Sequence, residues 1–176
     1  MRTTEMPAGG GSVFGGKIFI GADHAGYELK EKLKAYFSGL GHEVEDKGAF
    51  VFDKNDDYPD FVRPVSEAVA QDNTSCGIIL GGSGQGEAMC ANRVTGARAA
   101  LFYGGALAKE AIDIKGTKSA DSFEIIKLAR MHNHANILSL SAWFLSEDEI
   151  KFAIELFLST KFENEERHAR RIKKLD

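Results

Sequence analysis

Short apolar runs alternate along the chain with longer stretches in which apolar residues recur every three or four positions. The first run, Lys17-Ile18-Phe19-Ile20-Gly21-Ala22, has the length and content of a buried strand and breaks at Asp23-His24-Ala25-Gly26. Over residues 27–40, Leu29, Leu33, Tyr36, Phe37 and Leu40 fall on one helix face, and Gly41 closes the helix. Residues 42–46 predict a short, polar second strand nearer a sheet edge, and 48–57 a loop. Asp57-Tyr58-Pro59-Asp60 has the form of a helix start with Pro59 in the first turn. The helix continues over 61–70, where Pro64 is expected to kink it or delay its start. Ile78-Ile79-Leu80 predicts a third strand, 97–102 a fourth and Ile137-Leu138-Ser139-Leu140 a fifth. Residues 103–115 are expected to be helical, 116–121 to interrupt, and 122–131 to resume as a helix. Ser146-Glu147-Asp148-Glu149 is a capping-box pattern opening a helix that carries Ile150, Phe152, Ala153, Leu156 and Phe157. A last charged segment, 164–175, also predicts a helix.

Strands that alternate with helices predict an α/β fold whose parallel sheet is covered on both faces. Such sheets place ligands beyond the carboxyl ends of their strands. Asp23, His24, the glycine-rich stretch after the third strand, and residues 141–143 would gather there. Residues 17–176 predict one domain without internal repeats. Residues 1–16, rich in glycine and small residues, are expected to form a disordered leader.

The remaining totals narrow the classes. The 176 residues carry 43% hydrophobic and 27% charged residues, an ordinary globular balance. A formal charge of −4 argues against general nucleic-acid binding. No apolar run reaches membrane-spanning length, and a cytoplasmic location is the expectation. Cys76 and Cys90 form neither a disulfide framework nor a zinc pattern; both are expected to pack as small apolar residues.

The chemistry concentrates in Gly81-Gly82-Ser83-Gly84-Gln85-Gly86-Glu87. A glycine-rich turn between strand and helix presents backbone N–H groups to a developing negative charge. Ser83 adds a hydroxyl, and Glu87 a carboxylate that could act as a base. The segment is not a Walker loop, because no Gly-Lys-Ser/Thr follows. It also stands after the third strand, where a dinucleotide fingerprint is out of place. Taken alone, a purely structural turn explains it equally well.

The rest of the chain decides between these readings by resemblance. Gly21-Ala22-Asp23-His24-Ala25-Gly26-Tyr27-Glu28-Leu29-Lys30 resembles the opening signature of the ribose-5-phosphate isomerase type B family. Asp57-Tyr58-Pro59, the glycine-rich stretch with Ala91-Asn92-Arg93, His132-Asn133, and Arg167-His168-Ala169-Arg170-Arg171 follow in the family's order. The resemblance implies a Rossmann-like three-layer fold with a five-stranded parallel sheet, and a homodimer or dimer of dimers with shared active sites. It also implies neither metal nor cofactor, no nucleic-acid or membrane partner, and aldose–ketose isomerisation of a sugar phosphate through an enediolate. Many members use a cysteine as base where this chain has Gly81. A second branch has glycine there and a glutamate at the end of the loop, which points to Glu87. By the same resemblance His132, from the neighbouring subunit, opens the sugar ring, with Asn133 beside it. Asp23 orients sugar hydroxyls, His24 helps bind the phosphate or substrate, and Tyr58 closes over the sugar. Ser83 and the amides around Gly82, Gly84 and Gly86 hold the enediolate oxygen. Arg167, His168 and Arg171 clamp the phosphate, to which the planar guanidinium donates paired hydrogen bonds.

Two departures stand out. The family's arginine after the fifth strand is replaced by Trp143, in Ser141-Ala142-Trp143. The segment before His132 is longer than in bacterial members, and an insertion around 104–122 is expected to form an extra helical hairpin. Ribose 5-phosphate is the expected substrate. Allose 6-phosphate, galactose 6-phosphate and a non-catalytic sugar-phosphate-binding role remain as alternatives.

Overall fold

The computed structural model describes residues 14–175. Most of the expected leader, residues 1–13, lies outside the described residues. The elements run β1 (Ile18–Ala22), α1 (Tyr27–Gly39), β2 (Val44–Asp46), α2 (Pro59–Gln71), β3 (Cys76–Gly81) and α3 (Gln85–Ala91). They continue with β4 (Ala99–Phe102), α4 (Glu124–Asn133), β5 (Ile137–Ser141), α5 (Glu147–Ser159) and α6 (Glu166–Ile172). The five strands form a single parallel sheet in the order β2-β1-β3-β5-β4. This is the expected α/β three-layer, Rossmann-like arrangement.

The central strands are apolar throughout because both of their faces are covered. On one face Ile18, Ile20, Ile78 and Leu138 pack with Leu33 and Phe37 of α1, Ile126 of α4, and Ile150, Ala153 and Phe157 of α5. On the other, Phe19, Ile79 and Ile137 meet Val62, Val65 and Val69 of α2 and Ala91 of α3. The capping box of α5 forms as expected: Glu149 N–H donates to Ser146 Oγ, and Ser146 N–H donates to Glu149 Oε2. Lys30 of α1 is fully buried and reaches Asp46 at 2.5 Å and Glu31 at 2.7 Å. Burial pushes the Asp46 carboxyl upward, but Lys30 and Lys34 outweigh it and hold Asp46 below its ordinary range.

Two expectations are corrected, and one of two outcomes expected at Pro64 is excluded. Residues 103–115 are not a helix, and no helical hairpin forms at 116–122: residues 103–123 run as turns and irregular chain. Almost every side chain from 103 to 111 faces solvent, so a helix there would bury no face, and a short helix without packing is marginal in water. Thr117 instead folds back on Asp113, its N–H donating to Oδ1 and its hydroxyl to Oδ2. Pro64 does not delay α2, which starts at Pro59 and continues through it. The carbonyl that loses its donor belongs to exposed Asp60, where water can replace it. Cys90 is half-buried rather than buried, whereas Cys76 is fully packed, and burial pushes its thiol up to about 11.

Candidate active site

β1 and β3 pair in register from Ile18↔Cys76 to Ala22↔Leu80. The next residues, Asp23 and Gly81, therefore lie side by side at the carboxyl ends. From there the chain leaves β1 toward β2 and β3 toward β4, on opposite sides, which opens the crevice where α/β sheets take ligands.

Glu87 of α3 turns its carboxylate back into this crevice. A Cβ on Gly81 would lie 1.8 Å from Glu87 Oε1, so the carboxylate fills the space of the missing side chain. Glu87 is only 4% exposed. Burial is the main force raising its pKa; a backbone hydrogen bond opposes this, and the charge of Asp23 adds to it. Burial likewise raises the pKa of Asp23, against the opposing charge of His24. The buried Asp23 thus disfavours ionisation of Glu87, while the charge of Asp56 adds to the rise at Asp23 itself.

The loop between β3 and α3 is held from below. Ser139 Oγ donates to the Gly84 carbonyl and Ser141 Oγ to the Gly82 carbonyl, each at 2.6 Å. In a trans peptide the next N–H points opposite to the carbonyl, so Ser83 N–H faces away from β5. Gly84 takes φ +76°, a left-handed turn that favours glycine, and starts α3. Trp143 N–H donates to the Gly82 carbonyl at 3.1 Å, and its indole ring lies against the Gly82 Cα. Tyr58 packs its ring over Gly86.

His24 stands beside Asp23 and is steered by a residue the sequence reading missed. Asp56 Oδ1 accepts from His24 N–H at 3.0 Å and meets His24 Nδ1 at 2.6 Å. This contact raises the His24 pKa, with burial opposing. The only sequence signal was an acidic pair, Asp56-Asp57, just ahead of Tyr58-Pro59.

The remaining predicted residues form a second group. α4 ends at Asn133, just before β5 begins at Ile137, so His132 lies at the amino end of the sheet. The crevice lies at the other end, past Ser141, roughly 13 Å away along β5. His132 and His168 stack with ring centroids 4.4 Å apart and planes 8° from parallel. Glu163 Oε2 approaches His132 Nε2 at 3.7 Å, and Glu165 pairs with Arg167 Nε at 2.8 Å. Arg171 is exposed on α6. Asn133 faces a different cleft, about 450 Å³, with Asn92, Arg93, Arg98 and Leu175 on its walls. A single chain therefore does not bring His132, Arg167, His168 and Arg171 to Glu87. His134, which the resemblance leaves without a role, stacks on Phe162 at 4.5 Å.

Among the described residues no helix is long and apolar enough to cross a membrane. The Ribose/Galactose Isomerase family model matches residues 18–118 and 118–175. Ribose-5-phosphate isomerase B of Mycolicibacterium paratuberculosis is 36% identical over 156 residues, covering 89% of this chain and 87% of that protein. The crystal structure of Ribose-5-phosphate Isomerase B from Mycoplasma genitalium with bound ribulose-5-phosphate has a TM-score of 0.76 at 35% identity. That match covers 92% of this chain and 95% of the other. The enzyme from Thermotoga maritima gives a TM-score of 0.76 at 38% identity, over 92% and 98% of the two chains. A family match along nearly the whole described length, on the fold and loop just described, means that the chain belongs to the ribose/galactose isomerase family.

Proposed function

We propose that the chain is a sugar-phosphate isomerase that converts ribose 5-phosphate to ribulose 5-phosphate, with Glu87 as the base. The observation that carries this reading is the Glu87 carboxylate, buried over Gly81 and within the field of Asp23. A base in that place can take the proton from C2 of the open-chain aldose and return it to C1. The electron pair of the broken C2–H bond forms the C1–C2 double bond of an enediolate, and the carbonyl oxygen at C1 takes the negative charge. Ser83, through its outward N–H and its hydroxyl, supports that oxygen. Asp23 orients hydroxyls of the sugar. His24, held by Asp56, binds the phosphate end, and Tyr58 covers the sugar.

Ring opening and the rest of the phosphate clamp come from a second copy. The separation of His132, Arg167, His168 and Arg171 from Glu87 along β5 supports this, because one chain cannot join the two groups. A homodimer with shared sites is the smallest assembly that does. The solved structure from Mycoplasma genitalium holding ribulose-5-phosphate supports the choice of a pentose phosphate for this chain.

The test is isomerisation of ribose 5-phosphate in deuterated water, for the parent chain and Glu87→Gln. The expected result is turnover with deuterium entering at C1, and loss of both in a folded Glu87→Gln. Full turnover by that variant would remove Glu87 as the base. Failure of the parent on ribose 5-phosphate, with turnover of a phosphorylated hexose, would move the substrate within the family. Failure on every sugar phosphate would leave a binding role.

A further inference from the structure

We infer that Glu165 is a built-in stand-in for the phosphate group: its carboxylate holds the Arg167–His168 pair, and a phosphorylated sugar enters by displacing it. The inference rests on the proposed function, which gives those two side chains the phosphate.

The geometry around the pair carries it. Glu165 Oε2 lies 2.8 Å from Arg167 Nε and 4.0 Å from His168 Nε2. Yet Arg167 Nε and His168 Nε2 are both buried, and neither makes a hydrogen bond among the described residues. At 2.8 Å the Arg167 N–H must therefore point off the line to the carboxylate, so charge is neutralised while the donor is left unsatisfied. Buried polar groups in that state are costly. The neighbouring contact repeats the pattern: Glu163 Oε2 stands 3.7 Å from His132 Nε2, beyond hydrogen-bond reach.

The surroundings of His168 are otherwise positive. Burial, then the charges of His132, Arg167 and Arg171, lowers its pKa, and Glu165 opposes them. The position of Glu165 leaves its side chain movable. It is the N-cap of α6 but makes no side-chain cap hydrogen bond. It follows Asn164, whose φ of +51° is a left-handed turn that asparagine tolerates. Its side chain is 39% exposed and is tethered by ion pairing, and a part-exposed pair is weak.

A phosphate group outcompetes this carboxylate on two counts. It carries nearly two charges against one, and three acceptor oxygens with which to line up on both buried groups. A sugar ending in a carboxylate would exchange like for like and gain little. Glu165 thereby sets the condition for entry, selecting a phosphorylated sugar over a sugar acid or a neutral sugar.

The experiment uses the full chain, Glu165→Gln and Glu166→Gln. Glu166 is the control: it is the next residue, carries the same charge, and pairs instead with Arg170 Nε at 3.2 Å. Inorganic phosphate is titrated by thermal shift, and KM for ribose 5-phosphate is measured in parallel. Glu165→Gln should take phosphate roughly two- to fivefold more tightly, the worth of a part-exposed ion pair, and its KM should fall by a similar factor. Glu166→Gln should keep the parent's values. Unchanged or weaker phosphate binding by Glu165→Gln would overturn the inference, because Glu165 would then only orient Arg167. Equal tightening by both variants would overturn it as an effect of net charge. The thermal shift needs no turnover. A parent inactive on every sugar phosphate would therefore sink the proposed isomerase alone, and Glu165→Gln would still test the stand-in.

Discussion

Replacing Gly81 by alanine adds one methyl group where Glu87 now rests. The new Cβ would meet Oε1 at 1.8 Å, Cδ at 2.2 Å and Oε2 at 2.9 Å. Ordinary contact begins near 3.4 Å, so the carboxylate must retreat by roughly 1.6 Å. Misplacing a reacting group by about 1 Å costs on the order of 10²-fold, and a positioned base is worth about 10²–10⁴-fold. The expected fall in kcat is therefore roughly 10²–10⁴-fold, or about 3–5 kcal/mol of barrier. Stability should change far less. The displaced group is the free end of a flexible side chain, and an off-rotamer cost is about 1 kcal/mol. The assay is kcat with ribose 5-phosphate beside a denaturant midpoint, for Gly81→Ala, Glu87→Gln and the double variant. Because both changes act on one carboxylate, the double variant should be no slower than the slower single one. A folded Gly81→Ala with kcat within about twofold of the parent would refute the reasoning.

The raised Glu87 pKa gives a second prediction: the base must be ionised to act, so the acid limb of kcat/KM should lie above the ordinary glutamate value of 4.5, and Asp23→Asn should move it downward. For stability the sign reverses the usual carboxylate case. The favourable contribution of protonated Glu87 is complete below its unfolded value and is lost as pH rises through its folded value. Glu87→Gln should thus unfold at a higher midpoint than the parent at neutral pH, and the difference should vanish in acid, as chemical denaturation across pH can check. Asp46→Asn leaves buried Lys30 with only Glu31 and should cost on the order of 3 kcal/mol, whereas Lys30→Met should be close to neutral; equal losses in urea titrations would contradict this. Trp143, the sole tryptophan, is 71% exposed and lies against Gly82, so ribose 5-phosphate should change its emission in Glu87→Gln, and an unchanged spectrum at saturation would place the sugar elsewhere.

The central strands β1, β3 and β5 were legible because they are buried on both faces and read as apolar runs; Ile78-Ile79-Leu80 needs no partner to be recognised. The turn after β3 was equally open, since its glycines and Glu87 are neighbours in sequence. Residues 103–115 misled because Leu107, Ala111 and Ile114 recur at i, i+4, i+7, while whether such a face finds something to cover is set by the whole fold. Asp56 and Glu163 escaped notice for a related reason. Asp56 meets His24 across 32 residues, and Glu163 meets His132 across a whole helix, so no local pattern marks either. The separation of His132 from Glu87 follows from chain order: a helix that precedes a parallel strand ends at the strand's amino end.

The two serines of β5 also fix how the crevice meets a ligand. Ser139 and Ser141 tie down the Gly84 and Gly82 carbonyls, so the turn's dipoles are oriented before anything binds. A glycine-rich loop is usually imagined as pliable, yet here its entropy was surrendered when the chain folded. Ligand exchange should therefore leave this loop silent in amide hydrogen exchange, and the slow motions of a catalytic cycle should be sought at Tyr58 and in the 103–123 segment instead.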